Sequence, residues 1–397
     1  MVKFAHIADC HLGSWRQPQL QELNLLSFKR VIDQCIKEMP DFILIAGDLF
    51  DSAYPPIEIL KESFAVFKKI KDAGIPVYLI AGSHDFSASG KTFLDVLEKA
   101  GFCQNIEKAT HEESGKIRLK PTFHKEIAIY GYSGRKSGME IEDLKKVYLE
   151  SVHPLTIFAI HTTIRDVVGN VPMEYIEKEK LPIADYYAMG HIHKRFETEY
   201  ASAKFVYPGP TFPCNFQELS DLGCGSYQMV EIEGGKIKTR SIEVPIKDTC
   251  LIEIEVENAL TATEMIISKI DRLNLRDKIV LLRLYGNLKS GKSGDIKFSE
   301  IESFLQKKGA YAILRNISRL KSVSVEEFSV KKGEGAKEIE ERIIKEYSAV
   351  NPAEFNKYLP TLMNILATEK NEEEKNAAFE ERIISEIKNT LEVGKLL

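Results

Sequence analysis

"AMGHIHKR" (188–195) ends an apolar run with two histidines one residue apart, His191 and His193. The same arrangement occurs near the start of the chain, where "FAHIADCHLG" ends an apolar run with Asp9 and His11. The chain has only nine histidines, so these two pairs raise the question whether they form one site. A layered α/β fold would bring them together, because ligands in such folds collect beyond the carboxyl ends of the strands.

The composition is that of a globular chain with real cores. Its 397 residues predict two or three domains, and 44% of them are hydrophobic. The formal net charge of −5 excludes a basic nucleic-acid coat, so any DNA affinity would come from local basic clusters or metal ions. No apolar run approaches the ~20 residues of a membrane span, no signal-peptide pattern is present, and the six cysteines form no C-x-x-C pair. We expect a cytoplasmic protein with reduced thiols and no membrane partner.

Short apolar runs alternate with amphipathic stretches in the first half of the chain. Residues 20–38 and 57–72 carry apolar side chains close to a 3.6-residue period, which predicts helices between the strands and an α/β layered core. Runs at 205–208, 226–233 and 236–244 follow one another through turns, which predicts antiparallel strands added to the sheet. The predicted core strands are Val2–Ala8, Phe42–Ala46, Val77–Ala81, Ile127–Tyr130, Ile157–Ile160 and Tyr186–Met189.

The pattern changes near residue 246. From there to about residue 330, runs typical of strands alternate with two amphipathic stretches, which predicts a small α+β domain. The remaining residues are rich in Glu and have apolar positions at helical spacing, which predicts a helical tail. We therefore expect three parts, residues 1–245, 246–330 and 331–397.

Acidic and imidazole side chains stand just past five of the apolar runs. A lone histidine at a strand end is usually a hydrogen-bonded residue without further function, but five strand ends that deliver such side chains do not form a packing pattern. Glycines in the turns allow a close approach of the backbone. The residues are Asp9, His11, Asp48, His84, His161, His191 and His193.

Carboxylate and imidazole without thiolate are ligands that suit Mn²⁺, Fe²⁺ or Zn²⁺. The set is too large for one ion with an open position and suits two ions roughly 3.5–4 Å apart, bridged by one carboxylate. Asp48 is the candidate bridge because it follows a central strand. Two close cations lower the pKa of a bridging water and neutralise phosphate oxygens, so the predicted reaction is hydrolysis of a phosphoester.

At this point the motifs resemble a known family. "DCHLG", "GDLFD", "GSHD", "AIHTT" and "GHIH" resemble the calcineurin-like metallophosphoesterases, and "DFILIAGDLFD", "YYAMGHIHKRFE" and "VYPGP" resemble the SbcD and meiotic-recombination double-strand-break nucleases. The resemblance implies a layered α/β metallophosphoesterase β-sandwich flanked by helices, a small α+β capping domain and a C-terminal helical tail. It also implies a nucleoid-associated, Mn²⁺-dependent DNA nuclease of double-strand-break repair, with 3′→5′ exonuclease and single-strand endonuclease activity.

The resemblance also implies a role for each matching residue. Two Mn²⁺ ions would share Asp48, one of them held also by Asp9, His11 and His193, and the other by position 83, His161 and His191. His84 would be a catalytic residue that is not a ligand, and Asp85 would orient it. Position 83 departs from the family, which has Asn where this chain has Ser83. Since a serine hydroxyl is a shorter and poorer neutral donor, the second ion is expected to bind weakly or through water.

The resemblance further implies three kinds of partner, each with candidate residues in this chain. DNA phosphates would contact Arg16, Lys194 and Arg195. A homodimer would form through two amphipathic helices carrying Phe64, Phe67, Phe93, Leu94 and Leu97, although core packing is the default explanation of these positions. An SbcC-like ABC ATPase with a coiled coil would bind the tail, unless the tail folds back on its own chain, through Phe355, Tyr358, Leu359, Leu362, Ile365, Ile383, Ile384 and Ile387.

Two other functions stay open from the sequence. A phosphodiesterase of the same superfamily would act on small nucleotides, but it would not need the residues beyond the core. A weakly active DNA-bridging scaffold would follow if Ser83 left the second ion site poorly occupied.

Overall fold

The apolar runs of the sequence form strands, and the amphipathic stretches form helices. The computed structural model describes residues 1–86, 92–151, 153–168, 173–322, 343–345, 348, 354–368, 370 and 376–391. The strands are β1 (Val2–Ile7), β2 (Phe42–Ala46), β3 (Val77–Ile80), β4 (Gln104–Asn105), β5 (Ala109–His111), β6 (Ile117–Leu119), β7 (Thr122–His124), β8 (Ile127–Tyr132), β9 (Val147–Leu149), β10 (Thr156–His161), β11 (Tyr186–Gly190), β12 (Arg195–Tyr200), β13 (Ala203–Pro208), β14 (Gly225–Glu233), β15 (Lys236–Val244), β16 (Thr249–Glu255), β17 (Ile279–Leu288) and β18 (Ala312–Ser322). The helices are α1 (Pro18–Glu38), α2 (Ile57–Asp72), α3 (Phe93–Lys99), α4 (Glu140–Leu144), α5 (Arg165–Val168), α6 (Phe216–Leu222), α7 (Ala259–Asp271), α8 (Phe298–Lys307), α9 (Leu359–Leu366) and α10 (Asn376–Thr390).

Two six-stranded sheets form the layered core. The first has the order β15-β14-β1-β2-β3-β4, and the second has the order β12-β13-β11-β10-β8-β7. Apolar side chains from both sheets, including Phe4, Phe42 and Ile157, form one buried cluster between them. This arrangement confirms the predicted α/β sandwich, and β14 and β15 are antiparallel to each other and to β1, as the sequence predicts.

Helices cover the outer face of the first sheet because their apolar stripes match it. Helix α1 has Pro18 in its first turn, where the missing N–H costs nothing, and it ends at Met39 in a left-handed conformation (φ 47°). The buried residues of α1 and α2, such as Phe28 and Phe67, pack against the sheet in a second apolar cluster. Burial of this kind contributes about 1.5–3 kcal/mol for each large side chain.

A three-stranded sheet of order β16-β17-β18 follows the sandwich. β16 and β17 are parallel and are joined through α7, so this part has the strand–helix–strand pattern that the sequence predicts. The chain divides into two compact units, one of residues 1–256, 261–285 and 296–319, and the other of residues 257–260, 286–295 and 320–397. The domain boundary at 245/246 stays a proposal, and the boundary at 330/331 lies outside the described residues.

Helices α9 and α10 contact each other in the second unit. Within the described part of the chain, no helix is both long enough and apolar enough to cross a membrane. All six cysteines are free.

Candidate metal centre

The predicted side chains gather at one edge of the two stacked sheets. β1, β2 and β3 are parallel neighbours in the first sheet, and β10 and β11 are parallel neighbours in the second. Since parallel strands end at the same edge of a sheet, the residues at the ends of these strands lie close together. These residues are Asp9, His11, Asp48, Ser83, His84, His161, His191 and His193.

Four of these residues have a backbone conformation that L-amino acids rarely adopt. The φ angle is 51° at Asp9, 42° at His11, 48° at Asp48 and 91° at His191. Each such conformation costs about 1–3 kcal/mol, persists only where the surroundings enforce it, and is found mostly at functional sites. One enforcing contact joins the two sheets, because the backbone N–H of His191 donates to Asp9 Oδ1 at 2.9 Å.

Two glycines allow the strand-end turns to approach one another. A Cβ at Gly82 would lie 2.2 Å from both the backbone N and Oδ1 of Asp48. A Cβ at Gly190 would lie 2.0 Å from the carbonyl oxygen of Ala46. No larger residue fits at either position without moving a candidate ligand or its support, which explains the glycines in "GSHD" and "GHIH".

His11 and His193 point their Nε2 atoms at each other across 3.0 Å. The Nδ1 of His11 lies 3.1 Å from Asp51 Oδ1, and the Nδ1 of His193 lies 3.0 Å from Glu218 Oε1. A carboxylate only accepts hydrogen bonds, so each Nδ1 carries a hydrogen, and in a neutral ring Nε2 presents a lone pair. Two lone pairs that face each other at this distance repel unless they share a cation, either a proton or a metal ion.

Asp48 connects this pair of histidines with a second group, formed by Asp48, His161 and His191, whose ligand atoms lie within 4.8 Å of one another. The Nδ1–H of His161 donates to the carbonyl oxygen of Ala46 at 3.0 Å, so in the neutral ring its Nε2 also presents a lone pair. That Nε2 lies 3.2 Å from Asp48 Oδ2, and the same oxygen lies 3.5 Å from Nε2 of His11. One carboxylate oxygen therefore stands between the two groups.

The electrostatic field of the site favours positive charge. Burial alone would lower the pKa of His161, but Asp48 and Asp9 raise it to about 10. Burial would also lower the pKa of His193, but Glu218 and Asp9 raise it to about 9. Asp9 Oδ2 and His161 Nε2 are buried and have no hydrogen-bond partner among the described residues. Buried, unpartnered carboxylate and imidazole atoms in such a field fit the donor set of a divalent cation.

Comparison with known proteins identifies the fold family. The family model of the calcineurin-like phosphoesterases matches residues 2–195, which carry all of these strand ends. Residues 2–195 belong to the calcineurin-like phosphoesterases. This membership implies a metal-dependent phosphoesterase that uses a pair of divalent ions.

Three similar proteins extend the match beyond this region. The chain is 27% identical over 302 residues to the uncharacterized metallophosphoesterase YhaO of Bacillus subtilis, covering 71% of each chain. It is 26% identical over 343 residues to the DNA double-strand break repair protein Mre11 of Archaeoglobus fulgidus, covering 79% of this chain and 74% of that protein. It is 29% identical over 292 residues to the protein of the same name from Methanocaldococcus jannaschii, covering 68% of this chain and 74% of that protein.

His84 lies at the solvent-exposed side of the candidate metal centre. Its side chain is 48% exposed, and its ring centroid is 4.7 Å from that of His11. Its Nδ1–H donates to the carbonyl oxygen of Asp51 at 2.9 Å, and its backbone N–H donates to Asp48 Oδ1 at 2.7 Å. Ser83 is half-buried in the same turn. The imidazole of His84 is thus oriented and remains accessible to a substrate.

The contacts of Asp85 differ from the prediction that this residue orients the ring of His84. Its carboxylate is buried and accepts three backbone N–H groups, from Leu49 at 3.1 Å, Phe50 at 2.9 Å and Gly82 at 2.9 Å. Both oxygens are occupied by these bonds, so Asp85 fixes the two turns that follow β2 and β3. Orientation of His84 comes instead from a backbone carbonyl.

Three side chains at this edge were not among the sequence predictions. Asp51 stands at the end of the "GDLFD" motif, so a search for a second acid near Asp48 would have found it. Glu218 lies on α6, and Cys214 lies in the loop before it, where its Sγ is within 4.8 Å of ring nitrogens of His11 and His193. These two residues follow no apolar strand run, and no periodic signal marks them.

The predicted DNA contacts are in different environments. Arg16 and Lys194 are exposed. Arg195 is already paired, because its guanidinium donates to Glu243 and to the carbonyl oxygen of Leu222. Arg195 is therefore less available to a phosphate than the sequence suggested.

Three of the five predicted dimer residues lie inside the chain's own core. Phe67, Leu94 and Leu97 are buried in the cluster beneath α1 and α2, so they are unavailable to a second copy. Phe64 and Phe93 are partly exposed and pack against the same cluster. The alternative of core packing thus explains the buried three.

The predicted partner-binding residues of the tail are mostly accessible. Phe355 and Ile384 are about half exposed, and Ile365 is buried. The other residues, which are all partly exposed, are Tyr358, Leu359, Leu362, Ile383 and Ile387. A surface for a partner and a hairpin formed with its own chain both stay open for this tail.

Proposed function

We propose that this protein is a metal-dependent DNA nuclease that acts in double-strand-break repair. The observation that supports this most is the convergence of imidazole lone pairs on Asp48 from two sides, with buried, unpartnered donor atoms beside them. The substrate class rests on the two relatives named DNA double-strand break repair proteins, each matched over about three quarters of its length.

The two groups of side chains would hold two ions that share Asp48. Asp9, His11 and His193 would complete one site, and His161 and His191 would belong to the other. When bound, the ions would activate water and neutralise charge on a phosphodiester. We propose Mn²⁺ for these oxygen and nitrogen donors, with Ser83 contributing a weaker, neutral donor to the second site.

His84 would act on the leaving group. The Nδ1–H of His84 donates to the carbonyl oxygen of Asp51, which directs Nε2 away from the protein. In a protonated ring, Nε2 would give its proton to the departing 3′ oxygen. A substitution at this exposed position leaves the buried ligands in place, so it should slow cleavage without changing metal binding.

The His84→Gln variant tests this role. We expect unchanged Mn²⁺ stoichiometry by calorimetry and a loss of about 10²–10⁴-fold in the cleavage rate of a labelled oligonucleotide, the usual contribution of a general acid. If the variant cleaves DNA at the wild-type rate, His84 has no part in the reaction.

The class of substrate is tested by comparing cleavage of DNA with hydrolysis of small phosphodiesters and nucleotides. We expect Mn²⁺-dependent cleavage of single-stranded DNA and 3′→5′ digestion of duplex ends, with His84→Gln as the control for contaminating nucleases. A protein that hydrolyses bis-p-nitrophenyl phosphate or nucleotides but leaves DNA intact would instead be a small-molecule phosphodiesterase. One observation favours that second candidate: a cavity of about 660 Å³, large enough for a nucleotide, opens beside His191 and His193.

The proposal also includes two protein partners, an ATPase and a second copy of the chain. An SbcC-like ABC ATPase would bind exposed apolar residues of the tail, such as Phe355 and Ile384. A homodimer would use the exposed faces of α2 and α3 rather than their buried residues. Mixing the purified chain with an SbcC-like ATPase and measuring mass by light scattering tests both assemblies.

A further inference from the structure

The loop between β13 and α6 carries a thiol to the metal centre. Cys214 Sγ lies within 4.8 Å of a ring nitrogen of His11 and of one of His193, which is close enough for all three atoms to bind the same ion. We propose that Cys214 is a thiolate ligand of the ion held by these two histidines, and that this ligand shifts the preference of this one site from Mn²⁺ towards a thiophilic divalent cation such as Zn²⁺ or Fe²⁺. The inference rests on the proposed metal centre and specifies the metal that it takes.

The loop is held in place from two sides. The indole N–H of Trp15 donates to the carbonyl oxygen of Pro213 at 3.0 Å, and the backbone N–H of Cys214 donates to Glu218 Oε2 at 2.7 Å. The other oxygen of Glu218 accepts the Nδ1–H of His193. One carboxylate thus positions both the thiol and an imidazole, as expected of groups that bind a common ion.

Unpartnered polar atoms of the candidate site provide a second observation. Asp9 is fully buried, and its Oδ2 has no hydrogen-bond partner among the described residues. The hydroxyl of Ser14 is buried, also lacks a partner by geometry, and lies beside Cys214. An ion bound by the thiolate would engage the carboxylate oxygen, and the serine hydroxyl would be free to donate to the sulfur.

Binding of a metal ion would change the bonds that the Cys214 sulfur makes. In the structure the thiol donates weakly to the carbonyl oxygen of Phe212 at 3.3 Å. Binding of the ion would form a metal–sulfur bond and break the S–H bond, and the proton would pass to solvent. A soft thiolate strengthens the preference for Zn²⁺ over Mn²⁺, whereas the other group, with only carboxylate and imidazole, lacks this added selectivity.

Cobalt provides a direct readout of the bond, independent of activity. The full-length protein is freed of metal and titrated with Co²⁺ under anaerobic conditions, and its spectrum is compared with those of Cys214→Ser, Cys214→Ala and the control Cys224→Ser. We expect a near-ultraviolet sulfur-to-cobalt charge-transfer band in the wild type and in Cys224→Ser, and none in either Cys214 variant. We also expect the Cys214 variants to lose about tenfold or more in Zn²⁺ affinity by competition with a chelator.

Each other outcome overturns the inference. Visible ligand-field bands of bound Co²⁺ without the charge-transfer band would mean that the centre binds metal and Cys214 does not. A charge-transfer band that persists in both Cys214 variants would belong to another cysteine. If the wild type takes up no Co²⁺ at all, the proposed metal centre fails together with this ligand, so the two failures are distinguishable.

Discussion

Replacement of Glu218 by Ala should weaken metal binding without touching a metal ligand. The carboxylate accepts the Nδ1–H of His193 at 3.0 Å, the amide of Asn215 at 2.5 Å and the backbone N–H of Cys214 at 2.7 Å. Alanine removes all three acceptor contacts. The imidazole of His193 then gains access to its other tautomer and to rotation, both of which turn the Nε2 lone pair away from His11.

The size of the expected loss in metal affinity follows from the effect that carboxylate partners of ligating histidines have in other metalloproteins. Loss of a carboxylate that holds a ligating histidine costs about 10–100-fold in metal affinity, which corresponds to about 1.4–2.7 kcal/mol. At saturating metal the free energy of unfolding should fall by the same amount relative to wild type, because an ion stabilises the folded state in proportion to the logarithm of its affinity. Some loss without metal is also expected, since α6 loses contacts near its first turn.

Calorimetric titration with Mn²⁺ and urea unfolding, each compared with EDTA, would measure both effects. Asp221→Ala is the matched control, because Asp221 lies on the same helix and its carboxylate accepts a bond from Gln217 rather than from a histidine. A Glu218→Ala protein with wild-type Mn²⁺ affinity and stoichiometry would refute the role assigned to this carboxylate.

Two further predictions concern buried groups that are not candidate metal ligands. Asp85→Asn replaces an acceptor of backbone N–H groups by a donor, so we expect a loss of at least about 2 kcal/mol in the free energy of unfolding in EDTA, measured with urea, and a wild-type value would contradict the contacts described. His6 is buried between the sheets, where burial lowers its pKa from 6.5 to about 3. The His6 imidazole is protonated at a higher pH in the unfolded chain than in the folded protein. The free energy of unfolding therefore falls as the pH drops below the pKa of His6 in the unfolded chain, by about 1.4 kcal/mol from about pH 7.5 to about pH 5.5. His6→Gln should reduce this slope relative to wild type in parallel urea titrations, and an identical slope would exclude His6 as its source.

The strand ends were predictable from the sequence because two independent signals coincide there. Apolar runs such as "FILIA" (42–46) have the length and β-branched content of buried strands, and the structure has that strand over the same residues. Histidines after such runs reach one edge as a consequence of parallel pairing, so the cluster of His161 and His191 required no knowledge of loop geometry.

Residues that support the ligands were beyond the same reasoning. Cys214 and Glu218 reach the edge through a loop whose path depends on Trp15 and on the cap of α6 by Asn215. Neither contact has a periodic signature. The sequence-based donor set contains no thiolate because Cys214 reaches the edge only through this loop.

The short helix α6 also explains how the small sheet is tied to the metal centre. Arg283 on β17 is buried, and its guanidinium donates to Glu253 at 2.6 Å and to Gln217 on α6 at 3.0 Å. A buried charge is costly unless it is fully paired, so these bonds fix the sheet against the helix. The next residue along α6 is Glu218, which holds His193. A displacement of the sheet that moves Gln217 must therefore move the carboxylate beside it, and the geometry of the metal centre depends on a sheet that contributes no ligand to it.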